Sequence, residues 1–167
     1  ALAYMDDVAS GTAPPVWTGT WESEIEPGVC LDLHQVRVSP GTEVLTARAT
    51  AVMGKPEESP YTFRSVLWRR RPGDGETTCV DLVFEPRVGE ATVAETTGVG
   101  VRSVEESAAG VVLGTREGKQ IALYWAPEAG PGDLTEFEDG TCLRGALAAV
   151  VDGRIFAVGA TGLEHHG

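Results

Sequence analysis

The chain has 167 residues, 42% hydrophobic and 23% charged, a length and balance that suit a globular fold able to bury roughly 70% of its unfolded surface without a covalent staple. Its 21 glycines and 10 prolines follow no period, which excludes collagen and coiled coil. With 25 acidic against 13 basic residues the net charge is -12, so phosphate backbones and anionic membrane surfaces are repelled and nucleic acid is a poor partner.

Residues 1–15 are small and polar, and Gly11-Thr12-Ala13-Pro14-Pro15 is stiff; they read as a flexible tail or a short cap. Tyr4-Met5-Asp6-Asp7 matches the polymerase tetrapeptide of reverse transcriptases letter for letter. That tetrapeptide works only in a palm built of several αβ units, and no such pattern follows, so the match is taken as chance. From residue 16 onward, short runs rich in β-branched and aromatic residues are cut by turn dipeptides. Strands are expected at 17–25, 29–38, 44–53, 61–69, 78–84, 91–97, 99–104, 111–115, 120–125, 142–151 and 155–160. Turns are marked by Pro27-Gly28, Pro40-Gly41, Pro72-Gly73, Glu117-Gly118, Asp139-Gly140 and Asp152-Gly153, the last being the clearest hairpin signal.

Alternation fixes faces within these runs. Leu45, Ala47, Ala49, Ala51 and Met53 share one face, opposite Val44, Thr46, Arg48 and Thr50. In the next run both faces carry apolar weight, as expected of a central strand or of a cavity wall. No segment of ten residues has helical periodicity, and no repeat has a blade or solenoid period. The expectation is an all-β chain, a single antiparallel β-barrel or barrel-like sandwich of about 8–10 strands over 16–161. The stretch 126–140 lacks alternation and reads as a long rim loop or lid. Leu163-Glu164-His165-His166 resembles the start of a vector-encoded histidine tag, so 162–167 is read as a C-terminal tail.

No run approaches the ~20 apolar residues of a membrane-spanning helix, so membrane insertion is not expected, and no leader-like charged-then-apolar pattern opens the chain. Cys30, Cys79 and Cys142 are isolated, without zinc spacing. One disulfide with one free thiol would fit an exported protein and three thiols a cytoplasmic one; the reading leans to an extracytoplasmic or secreted location. The run Arg69-Arg70-Arg71 enters a turn without interleaved aromatics and reads as a solvated strand end. No phosphate loop, serine elbow, zinc-protease or EF-hand spacing occurs, so neither a cofactor nor a metal is called for.

Two patterns carry chemistry. Asp32 and His34 project from one face of a strand, where a carboxylate can orient an imidazole for proton transfer, but spacing supplies no nucleophile and the simpler reading is a solvent-facing polar strip. Gly19-Thr20-Trp21, at the start of the first patterned strand, resembles the Gly-x-Trp opening of calycins, the lipocalin and avidin-like ligand-binding barrels. That resemblance implies a barrel with an interior, a Trp closing one end, and an Arg from a late strand, here Arg144 or Arg154, stacked on it. The aromatic side chains expected to line the interior are Tyr61, Phe63, Trp68, Tyr124 and Trp125. The expected function is binding of a small apolar or aromatic molecule; the alternative is a cofactor-free cyclase or isomerase acting on an apolar substrate inside the barrel.

Overall fold

A computed structural model describes residues 5–50, 62–76, 78–102 and 107–165. All regular structure among them is antiparallel β, in twelve strands, and the sheets include one curled as a half-barrel. The chain divides into two compact units, Ala1–Gly89 and Glu90–Gly167.

The N-terminal unit holds two three-stranded sheets. One joins β1 (Met5–Thr12), β4 (Glu43–Thr50) and β5 (Thr62–Arg69) in the order β1-β4-β5; the other joins β2 (Trp17–Glu22), β3 (Val29–Val38) and β6 (Val80–Val88) in the order β2-β3-β6. Within the stretch read from sequence as a tail, β1 forms an edge strand. Its alternation is broken by a bulge between Asp6 and Ala9, where Asp7 takes a positive φ and ion-pairs with Arg48 at 3.1 Å. The reverse-transcriptase-like tetrapeptide therefore leads into an irregular sheet edge. Among the described residues of this unit, Leu33, Val36, Leu45 and Ala47 are the buried apolar side chains, with fully buried Gln35 among them. Trp68 Nε1 donates to Gln35 Oε1 at 2.6 Å, and the Gln35 amide donates in turn to the carbonyl of Pro14. This chain of donors ties β5, β3 and the Pro14 segment together, and no buried side-chain polar atom among the described residues lacks a partner. Two of the three arginines in the run are neutralised locally: Arg69 pairs with Glu43, and Arg70 with Glu76 at 2.8 Å.

The C-terminal unit is one six-stranded sheet of β7 (Val93–Val99), β8 (Ala109–Thr115), β9 (Gln120–Trp125), β10 (Leu134–Glu136), β11 (Cys142–Val151) and β12 (Arg154–Glu164), in the order β10-β11-β9-β8-β7 with β12 on β11. Asp152 and Gly153 both have positive φ (48° and 73°), the type I′ geometry that matches strand twist, and they close the β11–β12 hairpin with Val151 opposite Arg154. Residues 162–164, read from sequence as tail, complete β12, and Leu163 packs against the core. That core gathers Val99, Ala108, Ala122, Tyr124, Ala126, Phe137, Leu143 and Ala148. Its alternation is visible in β9, where Ala122 and Tyr124 are buried and Trp125 points to the other face. β12 is an edge strand bearing exposed Ile155, Phe156 and Val158, and its pairing is bent where the register shifts at Gly145. The stretch 126–140, expected as a rim or lid, is pinned rather than free. It contains β10 and buried Phe137, and its backbone is held by Arg144 on Gly132, Thr161 on Pro131 and the Gly145 amide on Asp133.

Candidate functional site

Alternation and register across β2, β3 and β6 give their sheet two unlike faces. Gly19 lies opposite Leu33 and Leu33 opposite Phe84; Trp21 lies opposite Leu31 and Leu31 opposite Pro86. This face is apolar, and with Arg64, Val66 and Trp68 of β5 it walls a cleft of about 1130 Å³. The turn after β2 adds Ser23, Glu24 and Ile25. Phe84 is 60% exposed and Ile25 70% exposed, so large apolar groups stand open in the cleft. Arg64 has no side-chain ion pair or hydrogen bond among the described residues. Glu22 is engaged, accepting from the Gly28 amide at 3.0 Å.

Gly19 has a steric role here. A Cβ on it would lie 2.9 Å from the outer ring atoms of both Trp17 and Trp21, which pack edge to face over it with centroids 6.1 Å apart. The ring partner of Trp21 is thus Trp17. Arg144, one of the two arginines expected to stack on an indole, holds the Gly132 carbonyl in the C-terminal unit.

The opposite face of the same strands is polar. Thr18 of β2 is opposite His34 of β3; Thr20 is opposite Asp32, and Asp32 opposite Glu85 of β6. Asp32 and His34 are 2% and 5% exposed, so the solvent-facing strip expected from sequence is a buried polar layer. Burial is tolerated because each group is partnered. Arg87 grips both Asp32 oxygens, at 2.7 and 3.3 Å, and its hydrogen bonds hold the Asp32 carboxyl below the usual carboxylate range against the opposing effect of burial. Thr18 Oγ1 lies 3.2 Å from His34 Nδ1, and His34 Nε2 lies 3.3 Å from Glu85 Oε2. A carboxylate can only accept, so in the neutral ring Nε2 carries the proton and Nδ1 accepts from the Thr18 hydroxyl. Asp32, His34 and Glu85 each offer a ligand atom within 4.8 Å of the others, a spacing that a metal ion could bridge. The Arg87 guanidinium already supplies the cation at Asp32, so the donor set fits an ion-paired layer better than a metal centre.

The five aromatic residues expected to share an interior do not all come to one place. Trp68 lines the cleft. Tyr61 lies outside the described residues, and Phe63 is described only by its pairing with Ala49. Tyr124 and Trp125 belong to the C-terminal unit, on opposite faces of β9. Tyr124 is fully buried against Phe137 and donates to Asp139 Oδ2 at 2.6 Å; burial first, and this hydrogen bond second, push its phenol up to about 12. Thr141 completes the network, its amide donating to Asp139 at 2.9 Å and its hydroxyl lying 2.9 Å from His165 Nδ1. For Asp139, burial is the largest influence and raises its pKa, but the bonds from Tyr124 and Thr141 prevail and leave it lowered. These contacts anchor the 126–140 stretch.

Sequence alone does not single out Leu31, Phe84 or Pro86, and it marks Trp21 only as the closing Trp of Gly19-Thr20-Trp21, not as a cleft wall. The signal for them was the apolar alternation of β2, β3 and β6, legible only once the strands are placed in register. The three cysteines stand as thiols, and Cys30 borders the cleft. No helix among the described residues is long and apolar enough to cross a membrane. No protein-family model, curated protein or solved structure matches the chain.

Proposed function

We propose that the N-terminal unit binds a small apolar or aromatic molecule in the cleft walled by Trp21, Leu31, Phe84, Pro86 and Trp68. The carrying observation is Phe84, 60% exposed among other apolar side chains in a concave site. An aromatic side chain left in water this way loses hydration cost when a ligand covers it. On the order of 100 Å² of Phe84 can still be buried, a ceiling of about 2.5 kcal/mol. The calycin resemblance supports the same class of ligand, with Thr20 and Trp21 of Gly19-Thr20-Trp21 among the residues lining the cleft. The cyclase alternative would use the same walls and would need a carboxylate such as Glu22 as its acid or base.

The test is a fluorescence titration with N-phenylnaphthylamine, a neutral apolar probe. Saturable binding is expected, weakened about 10-fold or more by Phe84→Ala and unchanged by Phe156→Ala, which removes an equally exposed Phe from β12. Equal effects of the two variants, or no saturable binding, overturn the reading. The thiols test the location: one reactive thiol in denaturant without reductant supports the extracytoplasmic or secreted reading, and three support the cytoplasmic alternative.

A further inference from the structure

We infer that Thr18, His34 and Glu85 form a proton relay that makes the Thr18 hydroxyl a nucleophile toward small activated acyl esters, on the sheet face opposite the cleft. The order of contacts is that of a hydroxyl, an imidazole base and an orienting carboxylate: Thr18 Oγ1 to His34 Nδ1 at 3.2 Å, then His34 Nε2 to Glu85 Oε2 at 3.3 Å. Burial differs along the relay in the sense the chemistry needs. His34 is 5% exposed and Glu85 nearly as enclosed, which fixes the ring, whereas Thr18 is exposed and can meet a substrate. The three side chains come from three adjacent strands, so the pleat and the hydrogen-bond register position them. Sequence spacing hid the nucleophile because Thr18 lies 16 residues before His34 and meets it only across the β2–β3 pairing.

The chemistry closes in two steps. Thr18 Oγ bonds to the carbonyl carbon as its proton passes to His34 Nδ1, and Glu85 holds the resulting imidazolium through Nε2–H. The carbonyl π pair moves to oxygen and returns as the bond to the leaving alkoxide or phenoxide breaks, that group carrying off the bonding pair and, where basic enough, the proton from Nδ1; with a weakly basic phenoxide the imidazolium releases that proton to solvent water instead. Water then attacks the acyl-threonine, giving one proton to His34 Nδ1, and Thr18 Oγ leaves and is reprotonated. The net reaction is ester plus water to acid plus alcohol. An uncharged acyl carbon suits the site better than a phosphoryl group, because Asp32 and Glu85 stand beside it in a chain of net charge -12.

The test is incubation with p-nitrophenyl acetate, following nitrophenolate release and mapping the acetyl group by peptide mass. A burst near one equivalent, with acetyl on the peptide carrying Thr18, is expected. Thr18→Val should lower the burst rate by roughly 100-fold in a protein that still folds, with a lowered melting temperature because the buried His34 Nδ1 loses its donor. Thr18→Ser should retain the burst. Glu85 is a positioning residue: Glu85→Gln should slow acetylation and Glu85→Asp restore part of it. No acetyl on Thr18, or a Thr18→Val burst equal to that of the unaltered protein, overturns the inference. So does an inactive Thr18→Ser that melts normally.

Discussion

Gly19→Ala adds one methyl group at the point where two indoles converge. The new Cβ would stand 2.9 Å from Cη2 and Cζ2 of Trp17 and from Cη2 of Trp21, where carbon pairs settle at about 3.5–4.0 Å. Each rigid ring must withdraw by at least ~0.5 Å, and overpacking of that kind costs about 1–3 kcal/mol. The backbone at Gly19 is outside the left-handed region, so the change adds no φ strain and gains about 0.4–1 kcal/mol from the stiffer unfolded chain. The net expectation is a loss of about 1–2 kcal/mol. Gly11→Ala is the matched control: it also lies in a strand, and a Cβ there meets nothing within 4 Å, so it should be neutral or slightly stabilising. The assay is urea unfolding followed by tryptophan fluorescence, which favours the N-terminal unit because Trp17, Trp21 and Trp68 lie there and only Trp125 in the other. The two variants should differ by about 2 kcal/mol, roughly 30-fold in folding constant. A difference below ~0.5 kcal/mol would refute the steric role of Gly19.

Gly145→Ala should be more damaging still, by more than ~3 kcal/mol, because φ is +118° and the added Cβ would meet the Ala160 backbone at 2.5 Å; thermal unfolding of the purified variant checks this. Trp68→Phe keeps the ring in the cleft but leaves the fully buried Gln35 carbonyl without its donor, an expected cost of about 1–3 kcal/mol in urea unfolding. Tyr124 is held protonated, its pKa raised from 10.0 to about 12. Stability from this group is full below pH 10 and is lost as pH rises through about 12; alkaline unfolding curves should show the loss, and Tyr124→Phe should flatten it.

The strands 29–38, 120–125 and 142–151 are legible to the residue, because each is a run of recurring apolar residues bounded by turn chemistry. The hairpin at Asp152-Gly153 is legible for the same local reason. What escaped was set by distant partners. β1 is polar and bulged, and only its pairing with β4 makes it a strand. β10 is three residues long, held by pairing with β11 and by its neighbour Phe137 in the core. The cleft also escaped, since its walls depend on register between residues up to 55 positions apart, such as Leu31 and Pro86. Asp32 and His34 were visible as a pair, but their burial and their link to Thr18 were not, because nothing in a single strand states what lies on the next one.

The shift of register at Gly145 has a further consequence for how copies of this chain meet during folding at high concentration. A free strand edge carrying Ile155, Phe156 and Val158 is a template on which another chain can add a strand. The bend at Gly145, repeated on β12 by the left-handed Gly159, limits the straight part of that edge to the few residues next to the hairpin. A growing fibril needs a longer flat run than this, so the kink acts as a gatekeeper against runaway stacking.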